Sequence, residues 1–303
     1  MSGVTPGVRP IVEPKSGSSY TQVLAGQPLM GLVAGLAAIF IGYVIIFPSL
    51  AGVVTYFGWL ARGKPGDYQT FTTNALNFGY PEGMAAGFIS IAVFIPLALL
   101  MMRFVNMRRP VWLSSVQPGM RWRYLIVVVI VAAVVLNIAY WLTSGRTDFH
   151  WAPAPKVWLW LAMIVVLGPL QAAGEEYLFR GYLMQVVGSV IKQPWIVVGA
   201  SGVVFTALHG TQNVPLLLDR FAFGAVMGAL VVLTGGLEAA IAAHAVNNVF
   251  AFGYAALSGG VAGARTLTEV SWATAGTNIL AYVVIGVIAW RFGVMMKVAV
   301  KSA

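Results

Sequence analysis

Long apolar runs separated by short polar stretches set the pattern of this chain. A helix that crosses a bilayer takes roughly 17 to 25 mostly apolar residues. Eight stretches answer to that description: 29–56, 83–105, 124–142, 157–188, 194–210, 215–234, 237–257 and 271–292. The stretch before them, to about Gly26, is rich in Pro, Gly and Ser and has no apolar run, so it reads as neither a signal peptide nor a transit helix. It reads instead as a disordered cytoplasmic tail. The loop from Trp59 to Glu82 mixes aromatic and polar residues and is expected at the outer interface, and Tyr140, Trp141, Trp151, Trp158 and Trp160 read as aromatic belt anchors. Gly31 with Gly35, and Gly224 with Gly228, have the spacing that lets helix backbones approach closely. No internal repeat stands out, and no loop is long enough for a soluble domain. The expected fold is therefore an all-α polytopic membrane protein with about eight transmembrane helices.

Composition agrees. The 303 residues are 59% hydrophobic and 9% charged, with mean hydropathy +0.84, too little polar surface to coat a soluble domain. The chain has no cysteine, which excludes disulfides, thiolate metal sites and a Cys nucleophile. The net charge of +9 does not point to nucleic acid, because the basic residues are scattered between apolar runs as topological anchors are. With the N-terminus inside, eleven of the 18 Lys and Arg, Arg9 among them, fall on the cytoplasmic side. Arg62, Lys64, Arg146, Lys156, Arg220 and Arg265 fall outside, and Arg180 lies within a span. The bias rests mainly on the loop Arg103–Arg123, which holds five positive residues and no acid. The expectation is a multi-pass cell-membrane protein with both termini cytoplasmic.

An ionisable side chain at the bilayer centre costs about 3 kcal/mol on insertion scales, so it is kept only when paired or facing a wet cavity. Such residues concentrate in three spans. The fourth holds Glu175, Glu176 and Arg180; the i, i+4 spacing makes Glu176 the partner of Arg180. Glu175, turned about 100° away, has no local cation. The fifth span ends in Phe205-Thr206-Ala207-Leu208-His209, and the seventh carries His244 and Asn248 one turn apart, placed to donate to a single oxygen. His150 falls in an outer loop and reads as solvated. At 1.5 Å of rise per residue from the cytoplasmic end of each span, Glu175 lies at ~22 Å, His209 at ~24 Å, Asn248 at ~17 Å and His244 at ~10 Å. His244 is the shallow one.

Glu-Glu-x-x-x-Arg at 175–180, Phe-x-x-x-His at 205–209 and His-x-x-x-Asn at 244–248 resemble, in order, the three signatures of the CAAX protease and bacteriocin-processing (CPBP, or Abi) family, which includes the Rce1-type prenyl-protein endopeptidases. The resemblance covers about 157–257. It implies helices around a central polar cavity open to the cytosol, and peptide hydrolysis without a covalent intermediate. Carried over by position, Glu175 and His209 activate a water, His244 and Asn248 hold the oxyanion, and Glu176, Arg180 and Phe205 support the site. The chain then divides into a tail (1–26), N-terminal transmembrane helices (27–150), catalytic helices (151–260), and a last helix with the C-terminus (261–303). The implied partners are the bilayer and a membrane-associated protein or peptide, prenylated and of CAAX type in the Rce1 branch, with no cofactor and no nucleic acid.

Other readings compete. Glu175, His209 and His244 could form a His₂Glu zinc set, although no His-Glu-x-x-His is present. Gly199-Ala200-Ser201-Gly202 resembles the serine motif of rhomboid proteases, but the order of the histidines is wrong. A non-proteolytic immunity or scaffold protein would keep the same fold. A transporter would show paired broken helices in related halves, and none is visible.

Overall fold

In a bilayer every backbone N–H and C=O must find its partner inside the chain, so apolar runs of this length become helices. The computed structural model describes residues 11–143 and 149–303 and among these contains helices, turns and two isolated bridges. We number the helices α1 (Leu29–Ala61), α2 (Tyr68–Leu76), α3 (Pro81–Val105), α4 (Trp122–Leu142), α5 (Val157–Val190), α6 (Pro194–Ala207), α7 (Val214–Thr234), α8 (Glu238–Leu257), α9 (Val261–Arg265) and α10 (Trp272–Met295). Seven of them, α1, α3, α4, α5, α7, α8 and α10, are long and apolar enough to cross a membrane. The expected fifth span, 194–210, is the exception. Its helix α6 has 14 residues, about 21 Å at 1.5 Å per residue, short of a ~30 Å hydrocarbon core.

Local signals set the helix ends. Asn213 caps α7 by accepting from the Leu216 N–H at 3.1 Å, with Pro215 in the first turn, and Ser271 caps α10 by accepting from the Thr274 N–H at 3.0 Å. At its far end α7 stops on Gly235, whose φ of +69° is left-handed. A Cβ there would also lie 2.5 Å from the Ala299 carbonyl oxygen. The chain turns at once into α8.

Helix α8 is central, packed on α4 and α5; α3 lies along α5, α6 along α7, and α7 and α4 both meet α10. Chain direction sorts the connections onto two faces. On one, Ser19 bridges Lys301, the Ser302 carbonyl accepts from the Gly17 N–H, and the Tyr20 hydroxyl donates to the Leu113 carbonyl. Arg121 closes this face: it clamps the fully buried Glu238 (Nη2 to Oε2 2.6 Å) and donates through Nη1 to the carbonyls of Thr234 and Ala299. On the other face, Asn213 bonds the carbonyls of Thr268 and Val270, and Ala152 and Ala154 bond those of Leu257 and Ala256.

Two expectations change here. The tail expected to be disordered through residue 26 is docked from Ile11 on, because Tyr20, Val23 and Leu24 bury fully against the core and Arg108 donates to the Val12 carbonyl. Arg9 and the rest of 1–10, like Arg146, lie outside the described residues. Trp160, read as a belt anchor, is buried with Phe78, Phe88 and Ile164, whereas Trp151 and Trp158 are exposed.

Candidate active site

Helix α5 runs regularly to Glu176 and then opens into a π-helical stretch, Tyr177–Leu183, before α-helix resumes at Met184. Wider turns of this kind gather at functional sites because they re-aim neighbouring side chains. Glu176 and Arg180 pair as the i, i+4 spacing predicts, Nη1 to Oε1 at 3.0 Å, both side chains sealed from solvent. Arg180 Nε and Nη2 have no hydrogen-bond partner. Aromatic faces surround the guanidinium instead, with Phe205 at 4.3 Å, Phe223 at 5.9 Å and Phe179 at 6.0 Å from its central carbon. Ring quadrupoles attract a desolvated cation, which gives Phe205 a direct part in holding Arg180.

Glu176 has a second partner that spacing along one helix could not reveal. Its Oε1 lies 2.7 Å from His244 Nδ1. A carboxylate ionised beside an arginine can only accept, so Nδ1 carries the proton. That leaves His244 Nε2 facing Glu175, 3.6 Å from Oε2. The shallow depth expected for His244 therefore does not keep it from the glutamates. Helix α5 spans 34 residues, about 51 Å, so depth counted from its end overshoots a bilayer of ~30 Å.

Glu175 faces a cavity of about 480 Å³ lined also by Gln171, His209, His244, Asn247 and Asn248. Its Oε1 accepts from Gln171 Nε2 at 2.6 Å. The Gln171 carbonyl is thereby turned to Asn248 Nδ2, also at 2.6 Å, and Asn248 Oδ1 in turn accepts from Asn247 Nδ2 at 3.3 Å. Each amide in this chain has one orientation once the acceptor at its end is a carboxylate. Asn248 thus commits one N–H of its amide to Gln171 and keeps the second.

His209 sits two residues past the end of α6. Its Nδ1 lies 2.7 Å from the Phe205 carbonyl, which can only accept, so Nε2 is the basic nitrogen. It lines the same cavity without ion-pair contact to Glu175. All seven residues singled out in the sequence are thus brought together: Glu175, His209, His244 and Asn248 on the cavity wall, and Glu176, Arg180 and Phe205 behind or beside it.

Sequence reasoning missed several lining residues. Gln171 was findable as the polar residue one turn before Glu175 inside an apolar run. Asp219 was findable as an acid within the run 215–234; it accepts from Asn278 Nδ2 at 3.0 Å through Oδ2 and leaves Oδ1 unpaired. Arg220 and Arg265 were counted among the charges on the outer side, yet both line the cavity. Ser201, the residue of the rhomboid-like motif, donates to the Phe179 carbonyl at 3.0 Å and does not line the cavity. Among the described residues no three His, Asp or Glu side chains converge on a metal-ligating geometry.

Comparison with known proteins bears on the same helices. Residues 156–250 match the family described as type II CAAX prenyl endopeptidase Rce1-like. Over 100 residues the chain is 34% identical to an uncharacterized protein, YyaK, of Bacillus subtilis (strain 168). That alignment spans 31% of this chain and a third of the relative (33%). No solved structure matches. The residues matched run from the start of α5 into α8 and so contain both glutamates and every residue paired with them across the helices; over 156–250 the chain is similar to the Rce1-like family.

Proposed function

We propose that the protein is an intramembrane peptidase that hydrolyses a peptide bond of a membrane-associated protein or peptide, with water activated by Glu175 and His209. The observation that carries this reading is Glu175 itself: a carboxylate on the wall of a cavity within an apolar bundle, held by Gln171 and faced by His244 Nε2. Glu175 takes a proton from water as the water oxygen adds to the substrate carbonyl carbon, while His209 Nε2 accepts a hydrogen bond from the same water. The charge that develops on the carbonyl oxygen meets the free N–H of Asn248 and, when the ring is protonated, Nε2–H of His244. Glu175 then passes its proton to the amide nitrogen, the C–N bond breaks, and acid and amine leave. Glu176 and Arg180 balance charge behind the site. No step calls for a metal or cofactor.

A prenylated CAAX-type chain is the substrate class that the family suggests, and an internally quenched farnesylated peptide ending Cys-Val-Ile-Met serves as the first probe. Purified protein is expected to cleave it, and Glu175→Gln to lower the rate by about 10²- to 10⁴-fold, the range general-base catalysis supplies. Undiminished cleavage by a folded Glu175→Gln protein would sink the mechanism. Cleavage abolished by chelation and restored by stoichiometric zinc would replace it with the His₂Glu reading. No cleavage of this or any membrane peptide would favour a scaffold or immunity protein. The Lys/Arg bias supports a cell-membrane orientation with both terminal stretches in the cytoplasm.

A further inference from the structure

Two expectations that are separately reasonable are incompatible in this structure. The charge bias puts the terminal stretches in the cytoplasm, and the family resemblance implies a cavity open to the cytosol. The cavity opens on the opposite face. Its lining descends from Glu175 and His244 past Asp219, Asn278 and Phe88 to Phe78 and Arg265, which belong to the loops after α2 and around α9. No lining residue comes from 106–121, 191–193, 235–237 or 296–303, the connections of the terminal face. That face is shut directly behind the glutamates. The Ser114 and Tyr177 hydroxyls bond each other at 2.6 Å, the Tyr182 hydroxyl bonds Asn106 at 2.8 Å, and the Arg121–Glu238 clamp seals the α7–α8 corner.

Charge decides which face is which. The terminal face has the loop of five positive residues without an acid, together with Lys15, Lys192, Arg291, Lys297 and Lys301, against Glu13 and the buried Glu238. The cavity face sets Arg62, Lys64, Lys156 and Arg265 against Asp67, Glu82 and Glu269. Positive residues near span ends are retained in the cytoplasm, each resisting translocation. We infer that the cavity opens to the extracytoplasmic side, so that its substrate, on the peptidase reading above, is a peptide presented at the outer surface of the membrane and not a cytosolic prenylated protein. The rim suits a polar chain segment: Arg220 and Arg265 line it and neither makes an ion pair among the described residues.

The chain has no cysteine, so single cysteines report orientation without background. Ala264→Cys at the cavity rim and Lys301→Cys on the terminal face are expressed in full-length protein in a bacterial host. Both are then treated with a membrane-impermeant maleimide, first in intact spheroplasts and then after permeabilisation. Ala264→Cys is expected to label at least tenfold faster than Lys301→Cys in intact cells, with the difference vanishing on permeabilisation. Pro65→Cys, on the same face as Ala264, takes its place if that variant does not fold. Labelling of Lys301→Cys first, or of both equally in intact cells, overturns the inference. In sealed proteoliposomes of labelled, known orientation, the farnesylated probe should be cut only from the cavity side. Cleavage from the terminal side also overturns it. Failure to cut both the farnesylated probe and an unprenylated quenched amphipathic peptide, added from either side, counts against the peptidase reading and leaves the labelling result standing.

Discussion

At the residue scale, Gln171 is the side chain whose removal separates mechanism from scaffold. It donates to Glu175 and accepts from Asn248, so one amide orients both the base and an oxyanion donor. Hydrogen bonds to a charged group contribute about 1.5–3 kcal/mol each, so losing this one should be felt in the chemical step. Gln171→Met removes the donor to Glu175 and the acceptor for Asn248 at similar side-chain length, and is expected to lower kcat for probe cleavage by about tenfold or more with KM near wild type. Gln171→Glu keeps an acceptor for Asn248 but has no donor for Glu175, and should also be slow. Wild-type kcat in both folded variants would show that Gln171 merely fills space. Much of this site was legible in advance: Glu176 with Arg180 follows from one helix's spacing, and Glu175's separation from them follows from the same geometry. The His244–Glu176 contact did not, because it joins residues 68 apart in sequence across two helices.

At the element scale, the site depends on how closely α5 approaches α3. Gly174 precedes Glu175, and a Cβ on it would lie 2.4 Å from the Ile91 carbonyl oxygen and 2.9 Å from its carbon. Backbone cannot give way as a side chain can, so any larger residue pushes the helices apart beside the base. Gly168, on the same helix, would meet only side-chain atoms, at 3.6 Å and beyond. Gly174→Val is expected to lower the melting temperature and reduce cleavage, whereas Gly168→Ala should leave both near wild type. Equal behaviour of the two in thermal unfolding and probe cleavage would mean that close packing at Gly174 does not position the site. The glycine pairs seen in the sequence fare differently: a Cβ on Gly224 would lie 3.1 Å from Gly202 Cα and one on Gly228 3.1 Å from a Val198 methyl, whereas in the other pair a Cβ on Gly35 would strike the Tyr182 hydroxyl but one on Gly31 would meet only the Val105 carbonyl oxygen at 3.9 Å. Helix identity was readable because apolar length alone dictates it. The shortness of α6 was not, because its apolar run continues past Ala207 into His209, where the backbone leaves the helix.

At the scale of the whole molecule, the terminal face fixes the depth of α8 and through it the position of His244. Glu238 opens α8 and lies six residues before His244; its carboxylate takes three hydrogen bonds from Arg121, through backbone N, Nε and Nη2. The same guanidinium ties the end of α7 and the C-terminal stretch to that point. Removing one partner of a buried ion pair strands the other, at a cost of about 3–5 kcal/mol, whereas replacing both with apolar groups is often close to neutral. Glu238→Ala should therefore lower the melting temperature and expose Lys297 and Lys301 to trypsin, while Arg121→Met with Glu238→Leu recovers much of the stability. The C-terminal stretch stays loose in the double variant, because Arg121→Met removes the donor to the Ala299 carbonyl. If the clamp also sets the register of α8, both variants lose probe cleavage even where the double variant is stable, since His244 no longer meets both glutamates. Full cleavage by a stable double variant would instead show that packing of α8 on α4 and α5 holds His244 in place without the clamp.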